Sequence, residues 1–296
     1  MTAIGIFDSG FGGLTVLKAI QELLPSENCI YFGDTARLPY GDKSPEMIRK
    51  FCIENTAFLL KQNIKLLVIA CNTACAWSFE EIQKICDIPV IGVITPVMES
   101  FVELPSVKNV AILGTRATIA SKLHEKLLQT LVPDASFISI ACPLFVPLIE
   151  EGYIDHPLTR MVIHEYLRPL KEKEMDTILL ACTHYPLIEK DLKRELGTHI
   201  HFVNPAKSCA EEVRRCLIEN HLLKESGAGM CQFFVTDDPE KFRFFGTKFL
   251  DRSIEIVNLS FEFLPSELEK NDAKDRANFT DSEKNKSKTQ VISEII

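Results

Sequence analysis

Two cysteines end apolar runs in matched settings. In "LLVIACNTACAW", which begins at residue 66, Cys71 closes the run and Asn72 and Thr73 follow it. In "ILLACTHYPLIEK", which begins at residue 178, Cys182 closes the run and Thr183 and His184 follow. A thiol at the carboxyl end of a strand meets backbone N–H groups and the positive end of the next helix, which favour the thiolate. Both thiols are therefore expected to ionise below the ordinary cysteine value of about 8.5. A lone cysteine in such a place is most often a packed small residue. Two of them, each followed by polar side chains able to anchor a ligand, call for a chemistry that uses both.

Several chemistries fit less well. A redox pair lacks a CxxC motif and any flavin or NAD fingerprint, since "GFGG" is not GxGxxG and no GxxxxGK[ST] is present. A cysteine phosphatase needs an arginine closing the loop after its nucleophile, and "CNTACAW" has none. A cysteine hydrolase needs one thiol and a histidine base, which leaves the second thiol idle. Two-base proton transfer at one carbon uses both: one thiolate takes a proton from one face while the opposing thiol delivers one to the other.

The elements that would carry these thiols alternate between strand and helix. The run 3–7 reads as a strand followed by the turn "DSGFGG", and a helix then places Leu14, Leu17, Ile20 and Leu24 on one face before Pro25. Further strands are read at 29–32, 66–70 and 89–94, with a helix that Ser44 caps and Pro45 opens. After Pro96 the alternation restarts, with strands at 109–115, 136–141, 177–181 and 200–203. A helix, a strand at 231–235, a helix near 239–250 and a strand at 254–259 follow. Strands separated by helices of this length predict βαβ units and parallel sheets. The expected fold is α/β, in two similar, pseudo-duplicated domains, each a mainly parallel sheet flanked by helices, with the site in the cleft between them. Residues 1–95 with 210–265 form the first domain and 96–209 the second. The polar segment 266–296 reads as a disordered tail.

The 296 residues carry 33 Lys and Arg against 41 Asp and Glu, a net charge of −8 that disfavours nonspecific nucleic-acid binding. The start "MTAIGIFDSG" has no signal-peptide pattern, and no apolar run reaches membrane-spanning length. The expected protein is cytoplasmic, without membrane or nucleic-acid partners. The ten cysteines are scattered and no His cluster accompanies them, which argues against zinc and for mostly buried thiols in a reducing compartment.

Taken in order, "GIFDSGFGGLTVL", "YFGDTARLPYG", "ACNTA", "VIGVI.P", "ACTHYPL" and "FVNPA" resemble the glutamate racemases of the aspartate/glutamate racemase superfamily, from residue 4 to about 260. The resemblance implies cofactor-independent interconversion of L- and D-glutamate, with no metal, supplying D-glutamate for peptidoglycan, in an enzyme that is often a homodimer. It implies that Cys71 acts on the D-enantiomer and Cys182 on the L-enantiomer. It assigns Asp8 and Ser9, Tyr40 and Gly41, Asn72 and Thr73, and Thr183 and His184 to substrate binding. Asp8 and His184 have a second possible part, each assisting the thiol on its own wall. Asp8 also fits a turn cap, and His184 a loop residue bonded to backbone. Glu150 and Glu151 in "LIEEG" are indistinguishable here, and Asn204 stands where the family often has Asp. Aspartate racemases share the paired cysteines, and a two-lobed amino-acid-binding protein is the non-enzyme alternative.

Overall fold

The structure, a computed structural model, describes residues 2–104, 107–171 and 173–260. The tail expected at 266–296 lies outside the described residues. In chain order the strands are β1 (Ala3–Asp8), β2 (Cys29–Gly33), β3 (Ile64–Ile69), β4 (Val90–Gly92), β5 (Asn109–Gly114), β6 (Ser136–Ala141), β7 (Thr177–Ala181), β8 (His201–Val203), β9 (Cys231–Val235) and β10 (Asn258–Leu259). The helices between the first strands are α1 (Leu14–Leu23), α2 (Pro45–Leu60), α3 (Asn72–Ile85) and α4 (Ile94–Ser100). Then come α5 (Arg116–Ala120), α6 (Leu123–Leu131), α7 (Phe145–Glu150), α8 (Pro157–Leu167), α9 (Glu189–Leu196), α10 (Pro205–Glu219) and α11 (Pro239–Leu250).

The strands form two sheets, both parallel. One has the order β10-β9-β2-β1-β3-β4 and the other β6-β5-β7-β8. Parallel strands are linked by crossover helices that cover both faces, so central strands are buried on both sides and read as continuous apolar runs. β1 and β3 are buried at every position, as is β7 in the second sheet. The exception to apolarity in β3 is Lys65, whose ammonium pairs with Glu27 at 2.7 Å and donates to the Leu222 carbonyl at 2.6 Å.

Local signals set the helix ends. Leu14, Leu17, Ile20 and Leu24 are all buried beneath α1 or at its end. Ser44 accepts from the Met47 N–H at the start of α2, and Pro45 takes the first helical position. Asn204 accepts from the Ala206 N–H at 3.0 Å ahead of Pro205, so at the start of α10 the amide oxygen does the capping a carboxylate could do.

Three boundaries differ from expectation. The strand read at 89–94 stops at Gly92, because Ile94 already begins α4. Pro96 lies in the first turn of that helix, where its missing N–H is not needed. The strand read at 254–259 shortens to Asn258 and Leu259, and Ile254 instead packs on Gly246 of α11. Beyond Cys182 the chain makes a 3₁₀ turn at Tyr185–Ile188 before α9 begins, so no α-helix starts at that cysteine. All ten cysteines are free, and seven are buried.

Candidate active site

Cys71 and Cys182 follow the carboxyl ends of β3 and β7, the edge at which open parallel sheets bind ligands. The two sheets bring these edges onto one small cavity of about 30 Å³. Ser9, Tyr40, Gly41, Cys71, Asn72, Thr73, Cys182, Thr183 and His184 all line it. Asp8, the remaining residue singled out from the sequence, lies behind the lining. Its carboxylate accepts from the Gly10 N–H at 2.9 Å and from the Thr183 hydroxyl at 3.5 Å. The first bond is the turn cap; the second joins the end of β1 to the turn after β7.

The turn after β1 needs its glycines because other groups occupy the space beside them. A Cβ at Gly12 would collide with Thr183 Oγ1 and His184 Nδ1. One at Gly13 would lie 2.9 Å from the Tyr31 hydroxyl and press on Asp8. Tyr31 itself donates to the Gly10 carbonyl at 2.9 Å and holds the turn down.

The two sulfurs have different surroundings. Cys71 donates to the Ser9 hydroxyl at 3.7 Å. Burial pushes its thiol up to about 12, the Asp8 carboxylate adds to the rise, and the Ala74 N–H and Ser9 hydroxyl pull back without prevailing. The lowered value expected at Cys71 is thus overturned: desolvation of a thiolate in a closed site outweighs one helix start. Cys182 Sγ lies 3.9 Å from His184 Nδ1. The other ring nitrogen, Nε2, meets Glu150 Oε1 at 3.0 Å, with both side chains buried. Burial alone would push the imidazole down, but its hydrogen bonds to Cys182 and Glu150 and their charges hold it up at about 10. His184 is therefore an imidazolium at neutral pH, donating from both nitrogens. Phe249 of α11 stands edge-on to the ring, 6.4 Å away between centroids.

The polar lining is shared between the sheets. Thr73 Oγ1 lies 2.9 Å from both Thr115 Oγ1 and Thr118 Oγ1. Gly41 packs directly against Thr115. Tyr40 borders the cavity, but its hydroxyl donates to Asp34 and accepts from Asn55 Nδ2 at 3.0 Å, so it is already committed. The Asn72 amide nitrogen is buried without a partner among the described residues.

Sequence reasoning left Glu150 open and missed Thr115, Thr118 and His124. The acidic pair separates cleanly: Glu150 is buried against His184, while the Glu151 side chain is 65% exposed and faces Lys241 at 3.9 Å. Thr115 had a signal, since it follows the end of β5 as Cys71 follows β3. Cys75, four residues past Cys71, is a packing residue wedged against Gly92. Among the described residues no group of three or more His, Cys, Asp and Glu could hold a metal ion. Nor is any helix of the described residues long and apolar enough to cross a membrane.

Residues 4–213 match the sequence model of the Asp/Glu/Hydantoin racemase family. The chain belongs to that family. Within it the chain groups with the glutamate racemases. A curated glutamate racemase from Syntrophus aciditrophicus is 43% identical over 252 residues, 85% of this chain and 93% of its own. The crystal structure of the Francisella tularensis glutamate racemase, in complex with D-glutamate, superposes with a TM-score of 0.82 at 36% identity, covering 88% of this chain and 97% of that one. A glutamate racemase isoform from Bacillus anthracis gives 0.84 at 34% identity, over 88% and 98%.

Proposed function

We propose that the protein racemises glutamate by two-base proton transfer between Cys71 and Cys182, without a cofactor. The observation that carries this reading is that the two sulfurs, from the strand ends of two different sheets, line one cavity. Their surroundings fit opposite tasks. Cys71 is held as a thiol and can give a proton. His184 already carries its proton and cannot take another, so the base on the second wall is Cys182 itself.

In the direction that begins from L-glutamate, Cys182 removes the α-proton and the C–H electron pair moves into the carboxylate, giving an enediolate. Cys71 then delivers its proton to the opposite face, and the product is the D-enantiomer. Cys182 has gained one proton and Cys71 has lost one, so the reverse reaction restores the starting state. Fixed donors around the cavity, including the Asn72 amide and the Ser9 hydroxyl, offset the charge that develops on the carboxylate. Glu150 and His184 hold the donor N–H against Cys182; Asp8 and Thr183 fix the turn between the walls.

The cavity, at about 30 Å³, holds little more than one water molecule. Glutamate enters only if the walls part. The contacts that must give way or flex include Arg116 to Asp42 at 2.8 Å and the Trp77 indole N–H to the Ala117 carbonyl at 2.9 Å. Closure over the substrate would then exclude water and align both sulfurs with the α-carbon.

The same reading divides the lobes at 95/96 and 209/210 and includes a homodimer, a cytoplasmic setting without nucleic-acid or membrane partners, and supply of D-glutamate for peptidoglycan. Family membership supports these parts. The test is incubation with L-glutamate in D₂O, with chelator and no added cofactor, followed by optical rotation and the α-proton NMR signal. Loss of rotation with deuterium at the α-carbon is expected, and alanine at either cysteine should abolish it in both directions. Full turnover by either single variant would sink the two-thiol mechanism. Activity on L-aspartate alone would keep the mechanism and change the substrate.

A further inference from the structure

Asn72 is the first residue of α3, adjacent to Cys71, and is 2% exposed. Its Oδ1 lies 3.3 Å from Nε2 of His124, a residue of α6 that is itself 2% exposed. Its Nδ2 has no partner among the described residues, and the residue borders the cavity holding both sulfurs. A buried donor without an acceptor is unfavourable until a ligand meets it. The amide has two unlike ends. Turned the other way, it would present an oxygen to the cavity and repel a carboxylate.

We propose that His124 is a positioning residue for substrate binding: its Nε2–H donates to Asn72 Oδ1 and so keeps the Asn72 N–H groups turned toward a carboxylate of the bound amino acid. This rests on the glutamate reading above. The ring's charge state agrees with the role. Burial pushes the imidazole down to about 4, so at neutral pH it carries a single ring proton, and the acceptor oxygen of Asn72 holds that proton on Nε2. The link also spans the two halves of the site, since α3 follows β3 of the first sheet and α6 lies between β5 and β6 of the second. A side chain that never touches substrate thereby decides which face of a binding residue the substrate meets.

The test compares wild type, His124→Leu and His124→Gln for the D-glutamate dissociation constant by calorimetry and for kcat/KM. Leucine removes the donor; glutamine carries an amide N–H at a similar reach. Losing the hydrogen bond that orients a buried donor is expected to weaken D-glutamate binding and kcat/KM about tenfold in H124L. H124Q should stay within about twofold of wild type. If H124L does not fold, His124→Asn replaces it, since its shorter amide cannot reach Asn72. Unchanged affinity in H124L, or an equal loss in H124L and H124Q, overturns the inference while the glutamate reading stands. Wild-type protein that neither binds nor racemises glutamate overturns both.

Discussion

His184 Nδ1 lies 3.9 Å from the sulfur of Cys182, and an imidazolium is thereby set against one of two thiols that the sequence places in near-identical contexts. The neighbour of the Cys71 sulfur is instead the Ser9 hydroxyl, at 3.7 Å, in a pocket that keeps the thiol protonated. The pseudo-duplication is therefore one of backbone and not of electrostatics. In the proposed reading, where one wall takes a proton and the other gives one, the two sulfurs thus meet different neighbours before the substrate arrives.

Replacing His184 with asparagine removes the donor held against Cys182 and leaves the other wall intact. Enantiomers have equal free energy in water, so kcat/KM must fall by the same factor in both directions. A fall of about 10²-fold is expected for losing support of one general acid–base step. The asymmetry should appear in isotope effects instead. With α-deuterated L-glutamate, whose proton Cys182 takes in the proposed reading, the primary effect on kcat/KM should grow more than with the D-enantiomer. Equal growth would mean that His184 serves both walls alike.

Glu150→Gln and Glu151→Gln should behave differently, although the sequence cannot tell the two residues apart. Glu150 helps hold the His184 imidazolium at about 10, so its neutralisation should move the alkaline limb of kcat/KM to lower pH. Glu151 is exposed and should leave the profile unchanged. The sign carries over to stability. A histidine raised from 6.5 contributes stability that is full below about 6.5 and is lost as pH rises through about 10. Thermal unfolding across that window should show a shallower alkaline decline in E150Q than in wild type. An unchanged slope would contradict the assignment.

The strand ends were legible in the sequence because parallel strands buried on both faces must be continuous apolar runs, and β7, buried at every position, begins and ends where its run does. The residues just beyond the runs, Cys71, Asn72, Thr73, Cys182, Thr183 and His184, were legible for the same reason, and the cavity gathers them all. Burial was not legible. It raises the Cys71 thiol where the helix start alone would lower it, and it separates Glu150 from its neighbour. Contacts between the sheets were also invisible: nothing in "RATIASKLHEK" says that Thr118 will meet Thr73 or that His124 will meet Asn72. Short apolar stretches misled where a helix could use them equally well, as at Val93 and Ile94.

Gly12→Ala tests how tightly the turn after β1 is fitted to the opposite wall. The added methyl would collide with Thr183 Oγ1 and His184 Nδ1 and push the imidazole from its place between Cys182 and Glu150. Overpacking of this kind costs about 1–3 kcal/mol of stability. Activity should suffer more than that suggests, since an ångström of misplacement can lower a rate about 10²-fold. A variant with wild-type kcat/KM would show that the turn has room the structure denies it.

Tyr40→Phe separates two ways in which Tyr40 could serve the site. Its hydroxyl donates to Asp34, which is fully buried and also accepts from Arg37 Nε at 2.7 Å and Thr236 Oγ1 at 3.0 Å. It accepts from Asn55 Nδ2 at 3.0 Å, and burial beside the Asp34 charge keeps it a neutral phenol. With both bonds made inside the first lobe, the hydroxyl is not free to meet a substrate, and what Tyr40 offers the cavity is its ring and the loop it anchors. Phenylalanine keeps the ring and strands a buried amide N–H, so it should destabilise the fold by about 1–3 kcal/mol. KM for glutamate should stay within about threefold, the range left when no hydrogen bond to the substrate is lost. Denaturant unfolding and steady-state kinetics on the same variant decide it. A large rise in KM with unchanged stability would mean that the hydroxyl leaves Asp34 and turns to the substrate when the site fills.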